Sequence, residues 1–233
     1  MRMYAVYRKS EDLSYLSHLD IQRTLQRAFR RADIPLAYSE GFNPHPQFSF
    51  AAAVPTGTAS ECEWFEVRLT ETVDPDDFVK RIADALTSGL SVIDAKEVPE
   101  NAGKLTTLVR AAKYSVRLCI PCDAETVKTA LNEILSGEIV VTKKTKGGDK
   151  PSDIRPMIIS AEVIGVTETG DILMNLVGKL QTDGGLRVSH LTDVLLKKLN
   201  FAGAPVYIDR TDMYFEPGHD LPVMPGETDE VNE

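Results

Sequence analysis

The first half of the fold is set by residues 17–46, which read SHLDIQRTLQRAFRRADIPLAYSEGFNPHP. Ser17 is a favourable N-cap, and Asp20 three residues later supplies the acidic half of a capping box, so a helix is predicted to begin near His18. Apolar residues then recur at helical spacing along one face. The opposite face carries four arginines and no lysine: Arg23, Arg27, Arg30 and Arg31.

This arginine face has two interpretations. Charge runs on surface helices are usually solvated and contribute mainly to solubility. A guanidinium, however, offers a planar fork that grips phosphate or carboxylate with two hydrogen bonds, which a solubilising face does not need. The use of arginine without lysine on this face favours an anion-binding face.

The segment after the helix predicts a stiff, polar loop. Pro35 ends the helical region, and Gly41 permits a positive φ. Pro44 and Pro46 flank His45 and hold its backbone near extended geometry. A histidine presented in this way can serve as acid, base, metal ligand or phosphate donor, or it can simply cap a backbone carbonyl.

The candidate site combines the helix start with this loop. His18 and His45 are the candidate general acid–base pair, provided that the fold brings them together. Tyr38 and Phe42 are candidates for stacking on an unpaired base. The other motif residues are Ser17, Asp20, Ser39, Glu40, Gly41, Asn43, Pro44 and Pro46.

Five segments carry a family resemblance: SHLD at 17–20, RAFRRA at 27–32, YSEGFNPHP at 38–46, SFA at 49–51 and PTG at 55–57. In this order they closely resemble the bacterial radical-SAM-linked protein family, a domain of unknown function, most strongly over residues 1–70. Members are typically encoded beside, or fused to, a radical SAM protein. The resemblance therefore implies a radical SAM protein as partner in a shared pathway.

The cysteines exclude the radical chemistry itself. A radical SAM enzyme holds its [4Fe–4S] cluster with a C-x3-C-x2-C motif, whereas this chain has only Cys62, Cys119 and Cys122. The Cys119–Cys122 C-x-x-C stands alone, without the second ligand pair of a structural zinc site. We therefore expect no metal and no cofactor. The phosphate-binding glycine motifs, the G-x-S-x-G elbow and H-E-x-x-H are also missing.

Composition favours a cytoplasmic protein with no membrane association. The 233 residues are 42% hydrophobic, with no stretch of about 18 apolar residues and no signal-peptide pattern at the N-terminus. The net charge of −9 owes much to residues 216–233, which hold six acidic residues and no lysine or arginine. We expect this segment to be a disordered acidic tail.

The order of predicted elements indicates an α+β fold of two tandem ferredoxin-like (βαββαβ) domains, residues 1–100 and 108–215. In the first half, strands are predicted at 4–8, 47–53, 62–69 and 90–98, and helices at 17–32 and 76–86. In the second half, strands are predicted at 114–120, 138–143, 157–166, 171–176 and 207–215, and helices at 124–135 and 188–199. The second half thus carries an extra strand or ribbon.

A basic hairpin is predicted at residues 143–155, where the chain leaves one strand, turns through two glycines and returns. Its cations are Lys143, Lys144, Lys146, Lys150 and Arg155. Flexible cations of this kind can neutralise a phosphate backbone, although exposed lysine loops are more often only solvated.

Two functions follow from these features. In the first, the chain is an RNA-binding accessory in RNA processing or modification, with the arginine face and the basic hairpin holding phosphates in a cleft between the two domains. In the second, it is a non-catalytic docking or substrate-delivery partner of a radical SAM enzyme, and the loop 38–46 faces that partner.

Overall fold

The computed structural model describes residues 1–145, 148–180 and 185–227. These residues group into two compact units. The first unit combines Met1–Arg110 with the chain from Arg210 onward, and the second unit is Ala111–Asp209. The first unit is therefore assembled from two segments that are far apart in sequence.

The described residues form ten strands and five α-helices. In chain order these are β1 (Arg2–Lys9), α1 (His18–Arg31), β2 (Phe48–Phe50), β3 (Thr58–Arg68), α2 (Pro75–Ala85), β4 (Leu90–Val98), α3 (Leu105–Leu108), β5 (Val109–Leu118), α4 (Ala124–Leu135), β6 (Val140–Thr145), β7 (Gly148–Asp153), β8 (Ile158–Val166), β9 (Ile172–Lys179), α5 (Val188–Lys198) and β10 (Val206–Phe215).

The strand order in the first unit is β4-β1-β3-β10. Strand β2 pairs with the C-terminal half of β3. Strand β1 runs antiparallel to both β3 and β4. Because side chains alternate along a strand, Met3, Ala5 and Tyr7 of β1 point into the core beneath the helices. Arg2 and Tyr4 belong to the opposite face of the sheet.

The core of the first unit is centred on Phe29 of α1. Its ring lies 5.3 Å from that of Phe48, 5.9 Å from that of Phe65 and 6.2 Å from that of Phe78. The predicted apolar face of α1 is confirmed, since Ile21, Leu25, Ala28 and Phe29 are fully buried. Aromatic contacts of this kind contribute about 0.5–1.5 kcal/mol each beyond simple burial.

A buried ion pair ties the C-terminal strand to this core. One Nη of Arg210 lies 2.7 and 2.9 Å from the two carboxylate oxygens of Glu63, and both side chains are fully buried. The hydroxyl of Ser60 donates to the backbone carbonyl of Arg210 at 3.2 Å. These contacts join β3 to β10 within the first unit.

In the second unit the strand order is β5-β9-β8, with antiparallel pairing of β5 to β9 and of β8 to β9. Helices α4 and α5 are joined by an ion pair of 2.8 Å between Lys198 and Glu133. Strands β6 and β7 form a separate two-stranded sheet. This sheet contains the strands of the basic hairpin, and residues 146–147, where the sequence predicts the turn, lie outside the described residues.

The structure confirms a mixed α+β fold whose sheet pairing is mostly antiparallel. The predicted strand at 47–53 is shorter in the structure, Phe48–Phe50, because the chain bends at Gln47 and again at Ala51 and Ala52. The strand predicted at 62–69 begins earlier, at Thr58. Residues 210–215, predicted to end a second domain, cluster with the first unit. Tandem ferredoxin-like domains stay a prediction.

The chain after β10 makes defined contacts where the sequence predicted a disordered tail. Glu216 pairs with Arg110 at 2.6 Å, and Asp220 pairs with Lys96 at 2.8 Å. The amide of Phe215 donates to the carbonyl of Pro222 at 2.8 Å. Residues 228–233 lie outside the described part of the chain, and for them disorder stays a prediction.

The first prediction concerns the buried ion pair. Replacing Arg210 by methionine should lower the free energy of unfolding by about 3–5 kcal/mol, because Glu63 is left buried without its partner. A matched control is Arg8→Met, since Arg8 pairs with Glu61 at 2.8 Å but both side chains are about half exposed. That change should cost less than about 1 kcal/mol. Denaturant unfolding measures both, and equal losses would contradict this account of the core.

Candidate functional site: an arginine row and an aromatic loop

The outer face of α1 presents the four arginines to solvent, as the sequence predicted. The helix begins at His18 with a complete capping box between Ser17 and Asp20. Hydrogen bonds from Ser17 lower the pKa of the Asp20 carboxyl. This carboxylate lies 3.9 Å from Arg23, too far for a strong pair.

The contacts of the other arginines are few. Arg27 donates to the hydroxyl of Thr24 at 3.3 Å, and Arg31 donates to the carbonyl of Ala85 at 2.5 Å. Arg23, Arg27, Arg30 and Arg31 are all exposed. We call these four residues the arginine row.

The loop at residues 38–46 is closed at its base by backbone hydrogen bonds. Tyr38 forms an isolated bridge with Pro46. The amide of Ser39 donates to the carbonyl of His45 at 2.8 Å, and the amide of His45 donates to the hydroxyl of Ser39 at 3.0 Å. We call this segment the aromatic loop, and its base is fixed before any ligand arrives.

The tip of the aromatic loop exposes an aromatic ring. Gly41 has a φ of +126°, a conformation that side chains with a Cβ rarely adopt. Phe42 next to it is fully exposed, and Tyr38 is 42% exposed. An exposed phenylalanine forgoes the free energy of burial that its size would allow.

The two candidate histidines lie in different surroundings. His18 packs on Phe50 with the ring centroids 4.6 Å apart, on the helix side of the sheet. Burial lowers the pKa of its imidazole, and its Nδ1 has no hydrogen-bond partner among the described residues. His45 is exposed and lines a cavity with Ser49 and Glu66, on the other face of the sheet. The structure does not bring His18 and His45 together as an acid–base pair.

A buried cluster of polar residues surrounds His18, and sequence reasoning missed it. Lys9 is fully buried and donates to the carbonyls of Ser14 at 2.9 Å and Leu16 at 3.3 Å. Burial lowers the pKa of the Lys9 ammonium to about 8, against the opposing attraction of Glu63. Desolvation and the Glu63 carboxylate also raise the pKa of Tyr7.

A signal for this cluster is present in the sequence. Lys9 continues the inward alternation of Met3, Ala5 and Tyr7, and Glu63 continues that of Phe65 and Val67. A charged residue at an inward position of an alternating strand indicates a buried partner of opposite charge. The partner Arg210 is 147 residues away from Glu63, and nothing local identifies it.

The basic hairpin of the second unit is only partly available for ligands. Arg155 donates to the carbonyls of Leu135 at 2.6 Å and Ile158 at 3.1 Å, so it holds its own unit together. Lys150 is exposed, and Lys143 lies with its Nζ 4.0 Å from the sulfur of Met157. The side chain of Lys144, and Lys146 altogether, lie outside the described residues.

The family comparison decides the classification. The family described as "Uncharacterized protein conserved in bacteria (DUF2344)" matches residues 2–187. The chain belongs to this family. The match spans both units, including the arginine row and the aromatic loop. No curated protein matches the sequence.

Solved structures give weak similarity. A chain from a Cbf5-Nop10-Gar1 complex matches with a TM-score of 0.48 at 11% identity, and covers 90% of this chain. An unknown protein from Galdieria sulphuraria, at 12% identity, and DypB N246A in complex with manganese, at 11%, give TM-scores of 0.24 and 0.20. Each covers 90% of this chain, and the matches take in 97% and 93% of those proteins. This chain spans about half (48%) of the matched Cbf5-complex chain. These three TM-scores are all below 0.5, so the similarity is too weak to assign a fold class.

Within residues 1–145, 148–180 and 185–227, no group of three or more histidine, cysteine, aspartate or glutamate side chains is placed to hold a metal ion. Over the same ranges, none of the helices has the length and hydrophobicity needed to span a bilayer.

The second prediction concerns Lys9. Its pKa is lower in the folded protein than in the unfolded chain, so between about pH 8 and 10.5 the unfolded state binds the extra proton and the free energy of unfolding rises with pH. At pH 9.5 the wild type should therefore gain about 2 kcal/mol relative to Lys9→Met, compared with the same difference at pH 7. Chemical denaturation at the two pH values measures this gain. Lys80→Met, at an exposed position on α2, should show no such gain, and a Lys9 difference independent of pH would contradict the account.

Proposed function

We propose that this member of the DUF2344 family is a radical-SAM-linked accessory protein that binds RNA through its first unit and acts in RNA processing or modification. The observation that carries the proposal is the arginine row, four exposed guanidinium groups of which, among the described residues, only Arg23 has a carboxylate partner, at 3.9 Å. The proposal concerns binding, because His18 and His45 are not placed to share a reacting group.

Phosphate binding is the chemistry that the arginine row supports best. Each guanidinium that neutralises a phosphate releases condensed counterions, and this release drives association. The four positive charges stand on one helix of a protein whose net charge is −9. Such a local cluster selects a polyanion at one place while the rest of the acidic surface repels it.

The aromatic loop supplies the second half of RNA recognition. Single-stranded RNA binds through bases that stack on exposed aromatic rings, and each stacked base contributes about 1–3 kcal/mol. Phe42 and Tyr38 offer two such rings on a loop whose base is already hydrogen-bonded. Little conformational entropy is then lost on binding.

The element order of the first unit, β1-α1-β2-β3-α2-β4, is that of a ferredoxin-like domain, and we extend this class to both halves of the chain. The radical SAM protein enters as partner through the family resemblance, since the cysteines of this chain do not form a cluster motif. In this scheme the chain holds the RNA and the partner carries out the chemistry.

A second candidate function is a docking module for the radical SAM protein without RNA. It is favoured by three exposed apolar side chains: Tyr15 is 80%, Leu19 58% and Phe42 fully exposed. Aromatic and aliphatic anchors of this kind commonly carry the affinity of protein interfaces.

The third prediction separates these two functions. Purified protein should bind a single-stranded RNA with an affinity that falls steeply as salt rises. Reversing the charges of Arg27 and Arg30 to glutamate should weaken binding more than tenfold and reduce the salt slope by about 1.4, roughly 0.7 for each lost phosphate contact on a single strand. Fluorescence anisotropy over a salt series measures both quantities.

The matched control reverses two exposed lysines of the second unit, Lys128→Glu with Lys197→Glu, which changes the net charge by the same amount. This variant should retain most of the affinity. If both double variants weaken binding equally, the arginine row is not the site. If the wild type ignores RNA yet co-purifies with the radical SAM protein, the docking function is correct instead.

A further inference from the structure

A cavity of about 580 Å³ lies in the first unit, on the sheet face away from α1. It is lined by Ser39 and His45 from the base of the aromatic loop, by Ser49 of β2 and Arg68 of β3, and by residues 100–102 and Lys104. Its volume is within the range of small-molecule binding sites, about 300–1,000 Å³. The arginine row and the tip of the aromatic loop do not line it.

The floor of this cavity is a network of charges that is already satisfied. Arg2, almost fully buried, pairs with Glu66 and donates to the carbonyls of Ala102 at 2.5 Å and Gly103 at 2.9 Å. The hydroxyl of Ser49 donates to the other oxygen of Glu66 at 2.9 Å. These groups make a rigid floor and leave ligand binding to the rim.

The rim of the cavity carries polar side chains whose hydrogen-bonding groups are wholly or partly without partners within the described protein. Among the described residues, the imidazole of His45, the amide of Asn101 and the ammonium of Lys104 have no hydrogen-bond or ion-pair partner. Arg68 pairs with Glu100 at 3.0 Å through one Nη, which leaves its other N–H groups for a ligand. Three donors of different shape and one partly used guanidinium therefore surround one opening.

The charge of the cavity favours an anion. Three cationic side chains, Arg2, Arg68 and Lys104, line it against two carboxylates, Glu66 and Glu100. Both carboxylates are already paired, so the unpaired charge is that of Lys104. A phosphate monoester, which carries about −1.5 to −2 charges near neutral pH, meets a lysine and an arginine fork with strong charge-assisted hydrogen bonds.

We propose that this cavity binds the terminal phosphate of an RNA strand, an inference that rests on the RNA-binding function above. Lys104 and Arg68 hold the phosphate, and Asn101 and His45 hydrogen-bond to the terminal nucleotide. A terminal monoester carries more charge than an internal diester, and a cavity with a solid floor accepts a strand end rather than a strand passing through. The aromatic loop, which shares Ser39 and His45 with the cavity, stacks the adjoining bases.

The test uses the full chain and three RNA oligonucleotides of one sequence, bearing a 5′-phosphate, a 3′-phosphate or hydroxyls at both ends. The wild type should bind one phosphorylated form about tenfold more tightly than the hydroxyl form, the effect expected for one charge-assisted contact. Lys104→Ala should reduce that preference to about twofold. Lys80→Ala, which removes an exposed lysine from α2, should leave it unchanged.

The outcomes distinguish this inference from the function on which it rests. Equal affinity of the wild type for all three oligonucleotides overturns the terminal-phosphate site while RNA binding stands. If no oligonucleotide binds, the RNA function fails, and a titration with adenosine monophosphate decides the cavity. Lys104-dependent binding of that nucleotide supports a phosphate-ester site for a free ligand, and no binding overturns the site.

Discussion

The first unit depends on the ion pair between Glu63 and Arg210, two fully buried side chains that are 147 residues apart in sequence. A buried carboxylate without its guanidinium is costly, so Glu63 of β3 requires Arg210 of the C-terminal strand. The whole of the second unit is therefore an insertion within the first. Lys9, Tyr7 and His18 lie near this pair, and their shifted pKa values report the same desolvated interior.

The surface of the first unit contrasts with that interior. In the interior, the charged side chains form ion pairs or donate hydrogen bonds to backbone carbonyls. Outside, the arginine row is exposed and makes only a few contacts within the protein, and Phe42 and Lys104 are exposed as well. Folding gains nothing from leaving a phenylalanine fully exposed or from lining one helix face with arginine. Both features are explained if an RNA strand binds here, because its phosphates pair with the arginines and its bases stack on the phenylalanine ring.

Local features of the sequence predicted most of helix α1 and of the loop that follows it. The start of α1, its buried face and its exposed arginines follow from capping and helical spacing, and the residues of the stiff loop follow from Gly41, Pro44 and Pro46. Long-range features did not follow. The placement of Arg210 in the first unit depends on Glu63, its distant partner. The cavity is formed by segments that meet only after folding. Arg155 was predicted to be a free cation because its partners, the carbonyls of Leu135 and Ile158, cannot be identified from composition.

The most direct test of RNA binding is ultraviolet crosslinking of the tagged protein in its own cells, with the bound RNA, the crosslinked peptide and the co-purifying proteins identified from one sample. The account predicts a defined RNA species attached to the peptide that contains Tyr38 and Phe42. Recovery of the radical SAM protein with no crosslinked RNA would contradict it, and would make the arginine row and the aromatic loop a protein-binding surface.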